Sequence, residues 1–183
     1  MQGNRGKRLE QLIDLFGYRY QSIGRAYLIK SPPPVKHIRS LKNGQFVGCY
    51  AKKGQPDYML LADGDSYLFD AKEFKGRRFP FASLHRHQFD ALVRWSDCGG
   101  VSGLLVCATE MSAYWFIPVE TFKSAYMAWI ASRSIKGPTP KGKASLSVEW
   151  MAENGIPWGE DGYLSALITA KKYPRLGEDN KSG

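Results

Sequence analysis

Pro56-Asp57, followed thirteen positions later by Asp70-Ala71-Lys72, gathers two carboxylates and an ammonium into a short stretch of chain. In a strand, residues two apart share a face, so Asp70 and Lys72 point the same way, Ala71 points into the core, and Glu73, on the face opposite Asp70, takes a structural place or supports the site from behind. A tight turn at Asp63-Gly64-Asp65 would fold the segment carrying Asp57 back beside them. For a hairpin turning near Gly64, positions summing to about 128 face each other, which sets Asp57 across from Ala71, beside Asp70 and Lys72. Such a cluster suits hydrolysis of a phosphodiester: paired carboxylate oxygens hold a hard divalent cation, which polarises the phosphate and lowers the pKa of bound water. Lys72 would orient or deprotonate that water, or stabilise charge building on the phosphate, and the residue types leave these roles open. Taken alone, the pattern also describes an exposed Asp–Lys pair and a turn-forming aspartate after proline.

The elements that must position this cluster are legible from periodicity. Leu9, Leu12, Ile13, Phe16 and Tyr20 recur at helical spacing and predict an amphipathic helix over 5–21. Its start is crowded with Arg5, Lys7 and Arg8, which oppose the helix dipole and are better explained by something they touch. A strand over 25–30 ends at Pro32-Pro33-Pro34, where ladder donors run out. The stretch 36–54 is basic, with Lys36 and Arg39, and reads as a projecting loop or hairpin. Strands over 58–62 and 67–72 pair antiparallel, a helix covers 83–95, strands follow over 103–108 and 114–119, and a helix over 121–132 turns Phe122, Tyr126, Trp129 and Ile130 inward. The Gly-, Pro- and Lys-rich stretch 135–144 is a link, a short helix from Ser147 stops at Asn154-Gly155, and 162–172 is a last ordered segment. This is a mixed α/β pattern with an antiparallel start.

Composition bounds the function. A chain of 183 residues suits one domain with a sizeable core: 1–172, with 145–172 packing back on it and 173–183 as a flexible tail. No run of about 18 apolar residues could span a bilayer, and the polar, basic first residues lack the apolar stretch of a secretory signal. The cytoplasm is the expected location. Cys49, Cys98 and Cys107 form no CxxC pair, which argues against a zinc cage or a disulfide framework. The formal net charge of +9 points to a polyanionic partner, nucleic acid first, or to a charge excess that keeps the chain in solution.

Around the carboxylate–lysine cluster an ordered set of further motifs appears. It comprises Arg5-Gly6 with Leu9-Glu10, Ile29-Lys30-Ser31-Pro32, Pro56-Asp57-Tyr58, Phe69-Asp70-Ala71-Lys72-Glu73, Phe79-Pro80, His85-Arg86-His87-Gln88 and Gly99-Gly100. With the pieces around 143–156 and 162–164, this set resembles the RecU-type Holliday junction resolvases of the PD-(D/E)xK nuclease superfamily, over most of the chain. The resemblance implies an α/β, restriction-endonuclease-like mixed central sheet flanked by helices, with a protruding basic stalk over 35–55. It implies a homodimer that nicks symmetric strands of a four-way DNA junction in a bacterial or phage-infected cell, alongside recombination proteins. It also implies that Asp57, Asp70 and the Ala71 carbonyl ligate Mg²⁺ or Mn²⁺, with Lys72 as the catalytic lysine. Glu10 would bind metal directly or through water, its alternative being an exposed helix residue. Gln88 would lie near the scissile phosphate, or be a polar group on a helix face.

The sequence departs from the family where Asp70 stands for the usual glutamate, and in a shorter stalk. Arg5, Lys7, Arg8, Lys30, Lys36, Arg39, Arg77 and Arg78 would contact phosphates, and junction shape would supply selectivity. His85 and His87 fit DNA contact or helix-start packing better than a hard-cation site, which prefers oxygen ligands. Two rivals stand: a duplex endonuclease of restriction or repair type using the same cluster, and a non-catalytic protein that binds branched DNA and recruits others.

Overall fold

The computed structural model describes residues 7–32, 35–50, 55–134 and 144–172. Arg5, residues 135–143 of the link expected over 135–144, and the tail lie outside the described residues.

Helix α1 (Lys7–Ser22) leads into strand β1 (Tyr27–Lys30), and a two-stranded ladder of β2 (Val35–Ser40) and β3 (Phe46–Tyr50) follows. Every residue of β2 is exposed, as the basic composition of this stretch suggests. Strands β4 (Tyr58–Ala62) and β5 (Asp65–Phe74) form the central hairpin. Asp63 and Gly64 both take positive φ, 52° and 81°, as a two-residue type I′ turn requires. This turn closes on the pair Ala62–Asp65 and sets Tyr58 opposite Phe69. The ladder is therefore shifted by one position from a hairpin centred on Gly64, and Asp57, continuing that register, falls level with Asp70 instead of Ala71.

From β5 the chain passes through short β6 (Arg78–Pro80) and a single 3₁₀ turn into α2 (Arg86–Asp97). It returns as β7 (Val101–Ala108), parallel to β5, and reverses through β8 (Ala113–Pro118) into α3 (Val119–Ser134). Strand β9 (Ser145–Ser147) pairs with β6, and α4 (Val148–Asn154) starts at Ser147, whose hydroxyl accepts the Trp150 N–H at 3.2 Å. Strand β10 (Ile156–Pro157) and α5 (Leu164–Lys172) complete the fold. The short strands β6, β9 and β10, two or three residues each, lack the alternation that would reveal them in sequence.

The main sheet runs β1-β4-β5-β7-β8-β10, mixed because β5 and β7 alone are parallel. Helices cover both faces, and β5 shows why. Tyr67, Phe69 and Ala71 pack with Leu9 and Ile13 of α1 and Leu164 and Leu167 of α5. Leu68 and Phe74 pack with Phe89 and Leu92 of α2 and Phe122 and Tyr126 of α3. The period of two thus sends alternate residues into two cores. Among the described residues, no helix is long and apolar enough to cross a membrane.

Candidate active site

The site forms where β4 stops short of β5. Pairing between the two strands ends at Tyr58–Phe69, so the next part of β5 has no strand partner on that side. Asp57 fills the gap. Its Oδ2 accepts the Ala71 N–H at 3.0 Å, and its own carbonyl accepts the Ser31 N–H at 2.8 Å, which ties the aspartate to the end of β1. A ladder donor is satisfied by a side chain, and that carboxylate is anchored next to Asp70.

Asp70 lies on the α2 face of β5 and is fully buried, at 0% exposure. Gln88, also buried, donates from Nε2 to Asp70 Oδ1. Lys72 Nζ lies 2.6 Å from Asp70 Oδ2, an ion-pair approach without hydrogen-bond geometry, so this oxygen accepts no well-formed hydrogen bond. Lys72 Nζ also donates to Gln88 Oε1 at 3.4 Å, and the His85 N–H at the start of α2 donates to the same oxygen at 3.3 Å. One amide thus joins carboxylate, ammonium and helix start. Burial raises the Asp70 pKa to about 7; the Lys72 ammonium opposes that shift and the Asp57 charge adds to it. A carboxyl that titrates near neutrality beside a lysine is poised for chemistry.

Glu10 is brought elsewhere. Helix α1 packs on the Ala71 face of β5, opposite Asp70, and Glu10 pairs there with Lys30 at 2.9 Å, with Asp14 on the same ammonium at 3.1 Å. Glu10, Asp57 and Asp70 do not gather into one set, and among the described residues no three His, Cys, Asp or Glu side chains do. Glu10, expected to bind metal directly or through water, thus sits with α1 against the Ala71 face of β5 and is paired to Lys30. Lys30, expected to meet phosphate, sits between two carboxylates. Asp14, which follows Glu10 at i+4, was the signal for that clamp. Glu73 also has a definite place: its Oε1 accepts the Leu9 N–H at 2.5 Å and caps the basic start of α1.

The remaining candidates border the site or lie apart from it. The rings of His85 and His87 stack at 5.5 Å, at the start of α2. Arg77 pairs with Glu149, and Arg78 Nε donates to Ser145 Oγ at 2.8 Å, tying β6 to the region of β9 and α4. Lys7, Arg8, Lys36 and Arg39 are exposed.

A helix-flanked mixed sheet whose central hairpin brings Pro56-Asp57 beside Asp70-Ala71-Lys72 defines an α/β protein with a carboxylate–lysine cluster where the hairpin ladder ends. Residues 4–163 match the family described as Recombination protein U, RecU, and the chain belongs to that family. It is 28% identical to the Holliday junction resolvase RecU of Staphylococcus carnosus, over 93% of this chain and 81% of that one. It is 24% identical to the protein of the same name from Lactobacillus delbrueckii subsp. bulgaricus, over 97% of this chain and 83% of that one. Among solved structures it is similar to Hjc, a Holliday junction resolvase of Archaeoglobus fulgidus, with a TM-score of 0.45 and 14% identity over 83% of this chain and 95% of that one.

Proposed function

We propose that this chain resolves four-way DNA junctions by metal-dependent phosphodiester hydrolysis, making paired nicks on symmetric strands. The observation that carries the reading is the joining of Asp57, Asp70 and Lys72 at the end of one hairpin, with Asp57 held by the Ala71 N–H at 3.0 Å and Lys72 2.6 Å from Asp70. Membership of the RecU family and relatives named as Holliday junction resolvases support the choice of substrate.

The donors fit a hard divalent cation, Mg²⁺ with Mn²⁺ as a substitute. Two carboxylates, one with a buried oxygen that accepts no well-formed hydrogen bond, are the oxygen ligands such a cation takes while keeping several waters. Asp57, Asp70 and the Ala71 carbonyl would hold it, with Glu10 binding it directly or through water. When bound, the cation lowers the pKa of a water and neutralises phosphate charge. Gln88 orients the Asp70 carboxylate and the Lys72 ammonium through its two amide atoms. Lys72 holds positive charge where negative charge grows on the phosphate, or takes a proton from the attacking water.

A homodimer with twofold symmetry suits a substrate whose strands are equivalent in pairs. In this reading residues 1–172 act as one nuclease domain, and the exposed β2–β3 ladder with Lys36 and Arg39 is the stalk. Lys7, Arg8, Arg77, Arg78, His85 and His87 border the DNA path, and the work is done in the cytoplasm with recombination proteins as companions.

The test compares cleavage of a labelled immobile four-way junction with that of linear duplex of the same sequence in Mg²⁺, using wild type and Asp70→Asn. Symmetric nicking of the junction by wild type alone is the expected result. Equal cleavage of linear duplex would replace the reading with a general duplex endonuclease. Binding by both proteins with cutting by neither would replace it with a recruiting protein.

A further inference from the structure

Beyond Lys72 the strand β5 runs toward a second concave site. A cavity of about 340 Å³ opens there, lined by Glu73, Phe74, Lys75, Arg78, Ser83 and Thr109 among others. Two of its walls belong to segments that build the catalytic cluster. Lys75 follows Lys72 by three residues, and Ser83 precedes by two the residue His85, whose N–H is bonded to Gln88. The cavity thus borders segments that carry the site, with Lys75 about 10 Å along the chain from Lys72 at the rise of an extended strand.

Its chemistry is that of an anion site. Lys75 is exposed at the strand end, and no salt bridge holds it among the described residues. Arg78 spends its Nε on Ser145 Oγ at 2.8 Å and is oriented by that bond. The Thr109 hydroxyl donates to the Phe74 carbonyl at 3.1 Å, and Ser83 adds a second hydroxyl. The one carboxylate of the lining, Glu73, is turned to the Leu9 N–H. Glu110, nearby, accepts the Gly76 N–H at 3.1 Å, which keeps the turn between Lys75 and Arg78 in shape. Arg77 is engaged by Glu149.

We infer that this cavity is a backbone-phosphate subsite, in which Lys75 and Arg78 grip a phosphodiester of the cleaved DNA strand a few nucleotides from the scissile bond. The inference rests on the nuclease reading above and adds to it a second anchor on the same strand. With one phosphate at the carboxylates and another at Lys75 and Arg78, the strand direction through the site is set. Such an anchor carries no base recognition; it supplies register.

The experiment measures binding of the full chain to an immobile four-way junction without divalent metal, for wild type, Lys75→Ala, Arg78→Lys and, as a control on α5, Lys172→Ala. Single phosphates around the cut site are replaced in turn by uncharged methylphosphonate. The expected result is a lower salt dependence of binding for Lys75→Ala, by about 0.9 in the slope of log affinity against log salt. One methylphosphonate position is expected to weaken wild type several-fold and Lys75→Ala no further, with Arg78→Lys showing the partial effect of a lost planar fork. Lys172→Ala should match wild type. An unchanged slope in Lys75→Ala, or no position whose effect disappears in that variant, overturns the subsite while junction cleavage by wild type leaves the nuclease reading intact. If wild type binds and does not cut, the nuclease reading falls, and the same scan extended over a whole arm still decides whether Lys75 holds a phosphate. Arg78→Lys keeps a donor for Ser145, and equal thermal melts separate lost contacts from lost folding.

Discussion

Gln88 Nε2 donates to Asp70 Oδ1 across eighteen residues of sequence, while Gln88 Oε1 accepts from Lys72 at 3.4 Å. A single amide orients both charged groups, and α2 holds that amide through the His85 N–H.

Gln88→Ala removes the donor to a buried carboxylate oxygen and frees the lysine. Cleavage is expected to fall about 10- to 100-fold, with a higher Mg²⁺ requirement and junction binding close to wild type, as when the groups supporting a metal ligand are lost. Rates measured over a Mg²⁺ titration check this. A variant that cuts normally at low Mg²⁺ would remove the positioning role.

Asp70→Asn and Lys72→Ala should each lower cleavage by about 10²- to 10³-fold or more, while junction affinity in metal-free buffer stays within about twofold. Asp70→Glu should retain activity, because a longer carboxylate still binds a hard cation, with a changed preference between Mg²⁺ and Mn²⁺. Single-turnover cleavage on saturated junctions separates these effects from binding.

The Asp70 pKa is raised from 3.8 to about 7, chiefly by burial. In metal-free protein the folded state then holds a proton that the unfolded state has lost between these values. The stability contributed is complete below about pH 4 and is lost as pH rises through about 7. Urea denaturation at pH 5 and pH 8 should show wild type losing stability relative to Asp70→Asn, by an amount on the order of a few kcal/mol. Parallel behaviour of the two proteins would contradict it. Because a proton competes with a cation for the same carboxylate, Mg²⁺ should stabilise the protein more at pH 8 than at pH 5.

Glu73→Ala leaves the Leu9 N–H at the start of α1 without its acceptor and removes the negative charge that faces a basic helix start. A loss of about 1 kcal/mol is expected in urea denaturation, with Glu73→Gln milder because an amide oxygen still accepts. If both variants match wild type, the cap is not holding the helix to β5.

What was legible in the sequence was local. Alternation along β5 placed Asp70 with Lys72 and Ala71 against the core, and Asp63-Gly64 announced the turn, because strand period and positive-φ preference belong to a few neighbouring residues. The spacing of Leu9, Ile13 and Tyr20 likewise gave α1 its buried side. The ordered motif set pointed to the family.

Tertiary structure decided the rest. The hairpin's register moved by one because the turn closes on Ala62 and Asp65. Glu10 went to Lys30 because α1 packs on the far side of the sheet from Asp70. The burial of Asp70, and with it the pKa near 7, arises only when α2 covers that face and delivers Gln88. Desolvation and partner choice are properties of surfaces meeting across long stretches of chain, so no short window of sequence could contain them.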